Sequence, residues 1–579
     1  MTEPRDSATE FAVDLLTEFA NLGVRDVVVS PGSRSQALAL AAAALEQAGT
    51  LQLHVHIDER SAGFVALGLA IESRMPVLVV TTSGSAVANL HPAVLEAFHS
   101  AVPLILLTAD RPDELRGIGA NQATHQVGLF GESTRFVRDV HAPSGAAASG
   151  SHGAASPGSG SRELAREAFS AAAGHSSAAG PVQLNLAFRD PLSGPIGELP
   201  DVVPDPLPAP VSLTTAVAPA PYTVVIAGHA AGPDAEAVAH ALGAPLLAEV
   251  TSGARFGRNL VVSYRELLAR SDFGGRVRRA IVFGHPTLSR EVPALLEREG
   301  VEVIVVRSGG EDFNPGRRAA QFVEALAVDE AAVTDAAPAV PGARVWLGEW
   351  VAASRAILEQ IDTGLPAQRF DPDASRTDDK TAVAEFARAQ LEVFRQPVTR
   401  AGLVSAVWNA TWPHDRLVFA ASRLIRDADR TVPGKRVSVH ANRGLAGIDG
   451  TIATSVGIAR ASQRTGGSSA AGVTRVVLGD LAALHDVGSL LTSPGESLPR
   501  MQLVIGNDRG GTIFDKLEVA ATANSTLFDR VLYTPHEVNF AGLAEAYGWE
   551  YVRAENRGEL DEALTASGGR TIIETPLPR

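Results

Sequence analysis

The chain has 579 residues, 45% of them hydrophobic and 20% charged, the mixture of a soluble globular protein too long for a single core. Its formal net charge of −15 excludes a broad face for nucleic acid or an anionic membrane, so any arginine-rich pocket must be local. The absence of cysteine excludes disulfides, thiolate metal sites and a cysteine nucleophile, and fits a cytoplasmic protein.

The first block opens with a helical run over 8–22, and the residues before it lack the basic stretch and apolar run of a secretory signal. A strand over 27–29 then leads through the turn Ser30-Pro31-Gly32-Ser33 into an alanine- and leucine-rich helix from Gln36. A strand over 51–57, a helix over 61–71 and strands over 77–81, 104–108 and 182–186 follow. Short apolar strands alternating with helices predict a parallel sheet covered on both faces. The apolar runs are strand-sized, well short of the ~20 residues a membrane helix needs. Residues 142–161, small, polar and aperiodic, predict a flexible surface insertion into a first domain spanning 1–195.

A proline-rich bridge, 200–221, leads into a central α/β domain over 210–340, with strands over 222–227, 280–283 and 301–306. A second bridge over 329–344 and helices over 345–360 and 381–393 precede and open a last domain, 375–579. Its strands are expected over 417–420, 436–439, 474–478 and 502–505. There is no close repeat, yet the first and last blocks can share an architecture. The fold class is therefore α/β, three domains of mostly parallel sheet flanked by helices.

Two acidic turns in the last block point to a cation and a phosphate. Gly479-Asp480 ends one strand, and Asn507-Asp508-Arg509-Gly510-Gly511 follows the next. Two strands joined by a helix bring both turns to the same sheet edge, where α/β folds bind ligands. A hard cation prefers such oxygens, and glycines let the backbone approach a diphosphate. Taken singly, each turn reads more readily as an ordinary loop after a strand; the paired spacing is what favours the cation and phosphate. In the first block, His56-Ile57-Asp58-Glu59-Arg60-Ser61 reads as polar residues opening a helix, with capping as the plain explanation.

The paired turns resemble the diphosphate-binding motif of thiamine-diphosphate-dependent enzymes. The resemblance implies that Asp480, Asp508 and the Gly510 carbonyl hold Mg²⁺ (or Mn²⁺), with Asn507 as an alternative ligand. Leu481 replaces the usual second glycine, and Asp508 stands where asparagine is more frequent. Glu59 matches the glutamate that hydrogen-bonds the cofactor's aminopyrimidine ring and so lets the cofactor deprotonate its own thiazolium carbon.

Further segments narrow the resemblance. Ser30-Pro31-Gly32-Ser33-Arg34-Ser35, the run 56–70, Thr82-Ser83-Gly84-Ser85, Thr108-Ala109-Asp110-Arg111-Pro112, Gly119-Ala120-Asn121-Gln122, the run 442–450 and Gly511-Thr512-Ile513-Phe514 are similar to the 2-succinyl-5-enolpyruvyl-6-hydroxy-3-cyclohexene-1-carboxylate synthases of menaquinone biosynthesis. The match spans all three blocks and is strongest in the first and last. It implies decarboxylation of 2-oxoglutarate and conjugate addition of the four-carbon unit to isochorismate. It assigns substrate contacts to Ser33, Arg34, Arg111, Asn121, Gln122, Arg290, Ser422, Arg426 and Arg443, with Ile513, Phe514 and Leu517 as an apolar wall. Gln122, Ile448, Gly479 and Ile513 join Glu59, Asp480, Asp508 and Gly510 around the cofactor, Ile448 propping it into a bent shape. Glu59 and Asp480 come from different subunits in this class, which implies a homodimer or homotetramer.

The arginines support this independently. Arg34, Arg111, Arg426 and Arg443 all lie past expected strand ends or in glycine-rich turns, and both substrates carry two carboxylates, which arginine binds in forked pairs. Another thiamine-diphosphate-dependent 2-oxo acid decarboxylase, an acetohydroxyacid synthase, and a non-catalytic protein of the same fold are the alternatives. A pyruvate site needs fewer cations, and a protein that had lost the chemistry has no need of Glu59 with Asp480. His125 and His485 carry no motif and are left out of the catalytic set.

Overall fold

The segment Asp26–Val29 (DVVV, β1) is buried along its whole length, as a strand covered by helices on both faces must be. In the computed structural model, which describes residues 7–142, 159–175, 177–208, 213–329, 342–361, 379–464, 466–566 and 568–579, β1 lies between β2 (Gln52–Val55) and β3 (Val77–Thr81). With β4 (Leu104–Asp110), β5 (Phe136–Val140) and β6 (Val182–Ala187) it forms an all-parallel six-stranded sheet ordered β2-β1-β3-β4-β6-β5. The helices expected at 8–22 and 61–71 form as Ser7–Asn21 and Glu59–Ser73. The insertion expected over 142–161 lies outside the described residues except at its ends, where Ser159 opens the helix Ser159–Ala173.

The central strands are β7 (Thr214–Val217), β8 (Thr223–Ala227), β9 (Leu246–Ala248), β10 (Arg279–Phe283), β11 (Glu302–Val306), β12 (Gln321–Val323) and β13 (Ala325–Val328). Five of them make a parallel sheet ordered β12-β11-β10-β8-β9, and β7 pairs with β13. The proline-rich bridge therefore contains a strand. Thr214–Val217 is free of proline and finds its partner more than a hundred residues away, a pairing no local pattern announces.

The last sheet uses β14 (Arg416–Phe419), β15 (Ser438–His440), β16 (Thr474–Gly479), β17 (Met501–Asn507), β18 (Glu550–Arg553) and β19 (Arg570–Pro576). Its order, β15-β14-β16-β17-β19-β18, repeats that of the first sheet strand for strand, so the architecture suspected from sequence is common to both.

The two outer sheets meet through two helices, Glu59–Ser73 and Thr451–Arg464, buried on nearly every side. Their small residues make this possible. A methyl group on Gly68 would stand 2.0 Å from the Thr454 carbonyl, and one on Gly457 would stand 2.2 Å from the Val65 carbonyl. One apolar core, including Phe64, Leu67, Ile452, Ile458, Val476 and Leu503, runs through this crossing from one sheet to the other. Each large side chain there contributes roughly 1.5–3 kcal/mol by leaving water. Among the described residues, no helix is long and apolar enough to cross a membrane.

Candidate active site

Parallel pairing places the turns after β1, β3 and β4 side by side. Arg34, in the first of these turns, donates from Nη1 to the Phe188 carbonyl at 3.1 Å. Arg111, just past β4, is buried and donates to Ser83 Oγ in the second turn. Burial, and then the positive charge of Arg34, makes Arg111 less basic than an ordinary guanidinium. Two cations held within reach of each other at the end of an apolar sheet are stabilised by an added anion. Gln122 holds a left-handed backbone (φ 55°) and donates from Nε2 to the Ser83 carbonyl at 2.9 Å, which draws the Asn121-Gln122 turn over the same edge. Ser33 lies one residue before Arg34, and its carbonyl accepts from Gln36. The exposed His125 lines a neighbouring cavity of about 440 Å³ with Asp110, Arg116 and Gln126.

At the start of the helix Glu59–Ser73, capping and chemistry separate. Asp58 is the cap, accepting from Arg60 N at 2.9 Å and from Ser61 Oγ at 3.1 Å. The Glu59 carboxylate is left with Asn89 Nδ2 at 3.2 Å and stays accessible. His485 is engaged from the same helix, its carbonyl accepting from Arg60 at 3.1 Å.

In the last sheet β16 and β17 are neighbours in register, Gly479 opposite Gly506, so Asp480 and Asp508 emerge at one edge. Asp480 is only 2% exposed. Its Oδ2 accepts from Gly510 N at 2.9 Å and contacts His536 Nε2 at 3.0 Å. Asp508 pairs with Arg400 at 2.6 Å and accepts from Thr512 Oγ1. Burial, and then the nearby Asp508 carboxylate, raises the Asp480 pKa above the usual range. Two mutually repelling carboxylates in a dry turn suit a hard divalent cation, which would relieve both costs, so the donor set fits Mg²⁺. Asn507 donates from Nδ2 to Glu574 and accepts from Arg509 N at Oδ1, so its side chain, like that of Asp508, already has two partners. The glycines have a further role. A Cβ on Gly510 would lie 2.5 Å from the Tyr533 carbonyl, so they also admit the 529–534 segment against the turn. Neither His536 nor Arg400 stands in a recognisable motif, and their contacts with Asp480 and Asp508 exist only in the folded chain.

The remaining arginines converge where all three sheets meet. Arg443 is 7% exposed and donates from Nε and Nη2 to Thr287 Oγ1 and the Thr287 carbonyl, at 2.9 and 3.1 Å. The next two amides, Gly444 N and Leu445 N, donate to Glu96 at 2.7 and 2.9 Å, docking the Asn-Arg-Gly turn on the first domain. Arg443 and Arg426 are both less basic than usual; burial is the main cause for each, and the charge of Arg426 adds to it at Arg443. Arg290 adds to it at Arg426, although its own side chain is 83% exposed beside Glu518. Ser422 caps the helix Arg423–Thr431, accepting from Leu424 N at 3.2 Å, so its hydroxyl has a structural duty. Ile513, Phe514 and Leu517 are partly buried in and just after the short helix Thr512–Lys516, and Ile448 is 39% exposed in the loop before Thr451.

A matched pair of α/β sheets, one presenting a glutamate and arginines and the other a paired-carboxylate turn, defines a thiamine-diphosphate-dependent enzyme. The profile described as thiamine pyrophosphate enzyme, N-terminal TPP binding domain, matches residues 8–129. A benzoylformate decarboxylase from Polynucleobacter necessarius shares the fold, with a TM-score of 0.62 at 16% identity over 99% of this chain and 98% of that one. A 2-succinyl-5-enolpyruvyl-6-hydroxy-3-cyclohexene-1-carboxylate synthase of Leifsonia xyli subsp. xyli is 54% identical over 99% of this chain and 97% of its own length. That of Clavibacter michiganensis subsp. michiganensis is 53% identical over 100% and 98%, and that of Mycolicibacterium vanbaalenii 36% over 98% and 96%. The chain belongs to the family of 2-succinyl-5-enolpyruvyl-6-hydroxy-3-cyclohexene-1-carboxylate synthases, thiamine-diphosphate-dependent carboligases.

Proposed function

We propose that the protein decarboxylates 2-oxoglutarate and adds the resulting four-carbon unit to isochorismate in menaquinone biosynthesis, in the cytoplasm, with thiamine diphosphate and Mg²⁺ or Mn²⁺. The observation that carries this reading is the pair of cation clusters: Arg34 beside Arg111, and Arg426 between Arg443 and Arg290 in the reach of their charges. Each substrate brings two carboxylates, and guanidinium groups at low water content bind carboxylates strongly.

When bound, thiamine diphosphate supplies a nucleophilic carbon and an electron sink. Asp480, Asp508 and the Gly510 carbonyl would hold the cation, with Gly479 against the diphosphate. Glu59, free of capping, would accept a hydrogen bond from the aminopyrimidine ring and hold a proton there. Gln122, Ile448 and Ile513 would flank the cofactor. Arg34, Arg111, Ser33, Asn121 and Gln122 on one side, and Arg290, Ser422, Arg426 and Arg443 on the other, would orient the two acids, while Ile513, Phe514 and Leu517 exclude water.

Within one chain, Glu59 pairs with Asn89 of its own domain, and Asp480 pairs with Gly510 and His536 of its own domain. We take the working unit to be a homodimer, or a homotetramer of two such pairs, in which Glu59 of one copy faces Asp480 of another. The domain limits 1–195, 210–340 and 375–579 belong to the same reading.

The test combines protein, thiamine diphosphate, Mg²⁺, 2-oxoglutarate and isochorismate. Expected is loss of isochorismate absorbance that depends on every component, with a product mass equal to isochorismate plus the succinic semialdehyde unit. Turnover of 2-oxoglutarate to free succinic semialdehyde alone, with isochorismate untouched, would make the protein a decarboxylase instead.

A further inference from the structure

Glu249 follows β9 at the edge of the central sheet and is 2% exposed. Its Oε1 accepts from Thr287 N and Leu288 N, at 2.8 and 2.7 Å. Thr287 is the residue that receives Arg443 through both its hydroxyl and its carbonyl. One buried carboxyl group therefore fixes the loop that fixes a substrate-site arginine, and the same loop runs on to Arg290. Glu249 Oε2 is buried without a hydrogen-bond partner.

We propose that Glu249 is a positioning residue: as a neutral carboxylic acid it holds Thr287, and through it Arg443, in place without cancelling the arginine's charge. The proposal rests on the reading of Arg443 as a substrate-carboxylate ligand.

The division of charge follows from the neighbours. Asp429, three residues after Arg426 on the same helix, is fully buried. It accepts from Val250 N at 2.6 Å, Tyr264 Oη at 2.8 Å and Arg265 Nη2 at 2.6 Å, with Arg255 Nη1 at 3.7 Å. Glu249 has only two neutral amides. Two buried carboxyls this close do not both ionise cheaply, so the one with cations keeps the charge and the other keeps a proton. Burial, and then the charge of Asp429, pushes Glu249 up to about 8, against the pull of Arg443. The charged and titratable groups around it are Asp429, Arg443, Arg255, Arg265 and Tyr264. An ionised glutamate here would give Arg443 an internal counter-ion in competition with substrate. A protonated one accepts the same two hydrogen bonds and leaves the cation for the ligand.

The holoenzyme variants E249A, E249Q and R443A separate the possibilities, read as kcat, KM for 2-oxoglutarate and isochorismate, and thiamine diphosphate affinity. E249A is expected to raise KM for at least one substrate by about 10- to 100-fold with cofactor affinity unchanged, the effect of a misplaced binding group. E249Q, neutral and of the same shape, is expected to restore KM at pH 7. The parent KM is expected to rise above pH 8 as Glu249 ionises, and the E249Q KM to stay flat there. The proposal is overturned if E249Q is as impaired as E249A at pH 7, if E249Q keeps the parent's alkaline rise, or if E249A weakens cofactor binding as much as substrate binding. Should E249A fail to fold, the E249Q pH profile decides alone. If R443A leaves both KM values unchanged, it is the reading of Arg443 that falls. If R443A raises KM and E249A does not, only the role of Glu249 falls.

Discussion

Asp58 and Glu59 are adjacent acids at one helix start, and the fold gives them different work. Asp58 spends its carboxylate on Arg60 N and Ser61 Oγ, whereas Glu59 keeps an accessible one. Replacing Asp58 by alanine is expected to cost about 1 kcal/mol of stability, read in denaturant titration, because one cap is lost. Glu59→Gln is expected to keep the fold and lower turnover by about 10²- to 10⁴-fold, the usual worth of a proton-handling group. Turnover close to the parent's would remove Glu59 from the chemistry. Asp480→Asn is expected to weaken Mn²⁺ binding, followed by electron paramagnetic resonance, by more than about tenfold. Asp480 and Asp508 were legible in the sequence because each ends an apolar strand. Arg400 and His536 were not, because what matters about them is the partner they meet across the fold.

The helices Glu59–Ser73 and Thr451–Arg464 carry the junction between the outer sheets, and glycine is what lets their backbones touch. Gly68→Ala would put a methyl group 2.0 Å from the Thr454 carbonyl, where backbone must move rather than a flexible side chain. The expected result is destabilisation by about 3 kcal/mol or outright failure to fold, measured by chemical denaturation. Gly348→Ala, at an exposed position of the helix Ala343–Gln360 with nothing within 4 Å of the added carbon, is the control and is expected to be neutral or to stabilise by up to about 1 kcal/mol. The first of these helices was readable from its apolar run over 61–71, whereas Thr451–Arg464, with its mixture of small and polar residues, was not expected. The all-round burial of the pair was not readable either, since alanine-rich runs serve exposed and buried helices alike.

Where the first and last domains join, a buried polar cluster makes the contact sensitive to acid. Arg464 grips Asp26 at 2.5 and 2.8 Å, His54 meets Asp26 at 3.0 Å, and Arg460 lies 3.3 Å from both His54 and His56 and 3.1 Å from Glu496. Burial alone would raise the Asp26 pKa, but Arg464 and His54 overcome it and hold it near 2. Burial, and then Arg460, holds His56 at about 4. Both groups are depressed on folding, so each contributes stability present above its unfolded pKa and lost as pH falls through its folded value. His56 is expected to weaken the junction between about pH 6.5 and 4. Asp26 is expected to remove about 2 kcal/mol more between about pH 4 and 2. Denaturant midpoints measured across this range should fall accordingly, and Asp26→Asn should flatten the lower part. A parent profile level down to pH 3 would contradict the assignment.

Taken alone, the amino-acid order determined the three-block α/β plan, the helices around the first sheet, the acidic turns after two strands and the set of arginines. All of these depend on periodicity, strand-end position and residue chemistry within short windows. It did not reveal β7 with β13, the short β9 and β12, the interior strand β19 or the edge strands β5 and β18; an edge strand half exposed to water carries a weak alternation and needs its partner to exist. Nor did it reveal that Arg443, Thr287 and Glu96 come from three domains to one point, or that Glu249 and Asp429 divide one charge between them. Such arrangements arise from long-range packing, which excludes water and so sets how strongly each charge is felt.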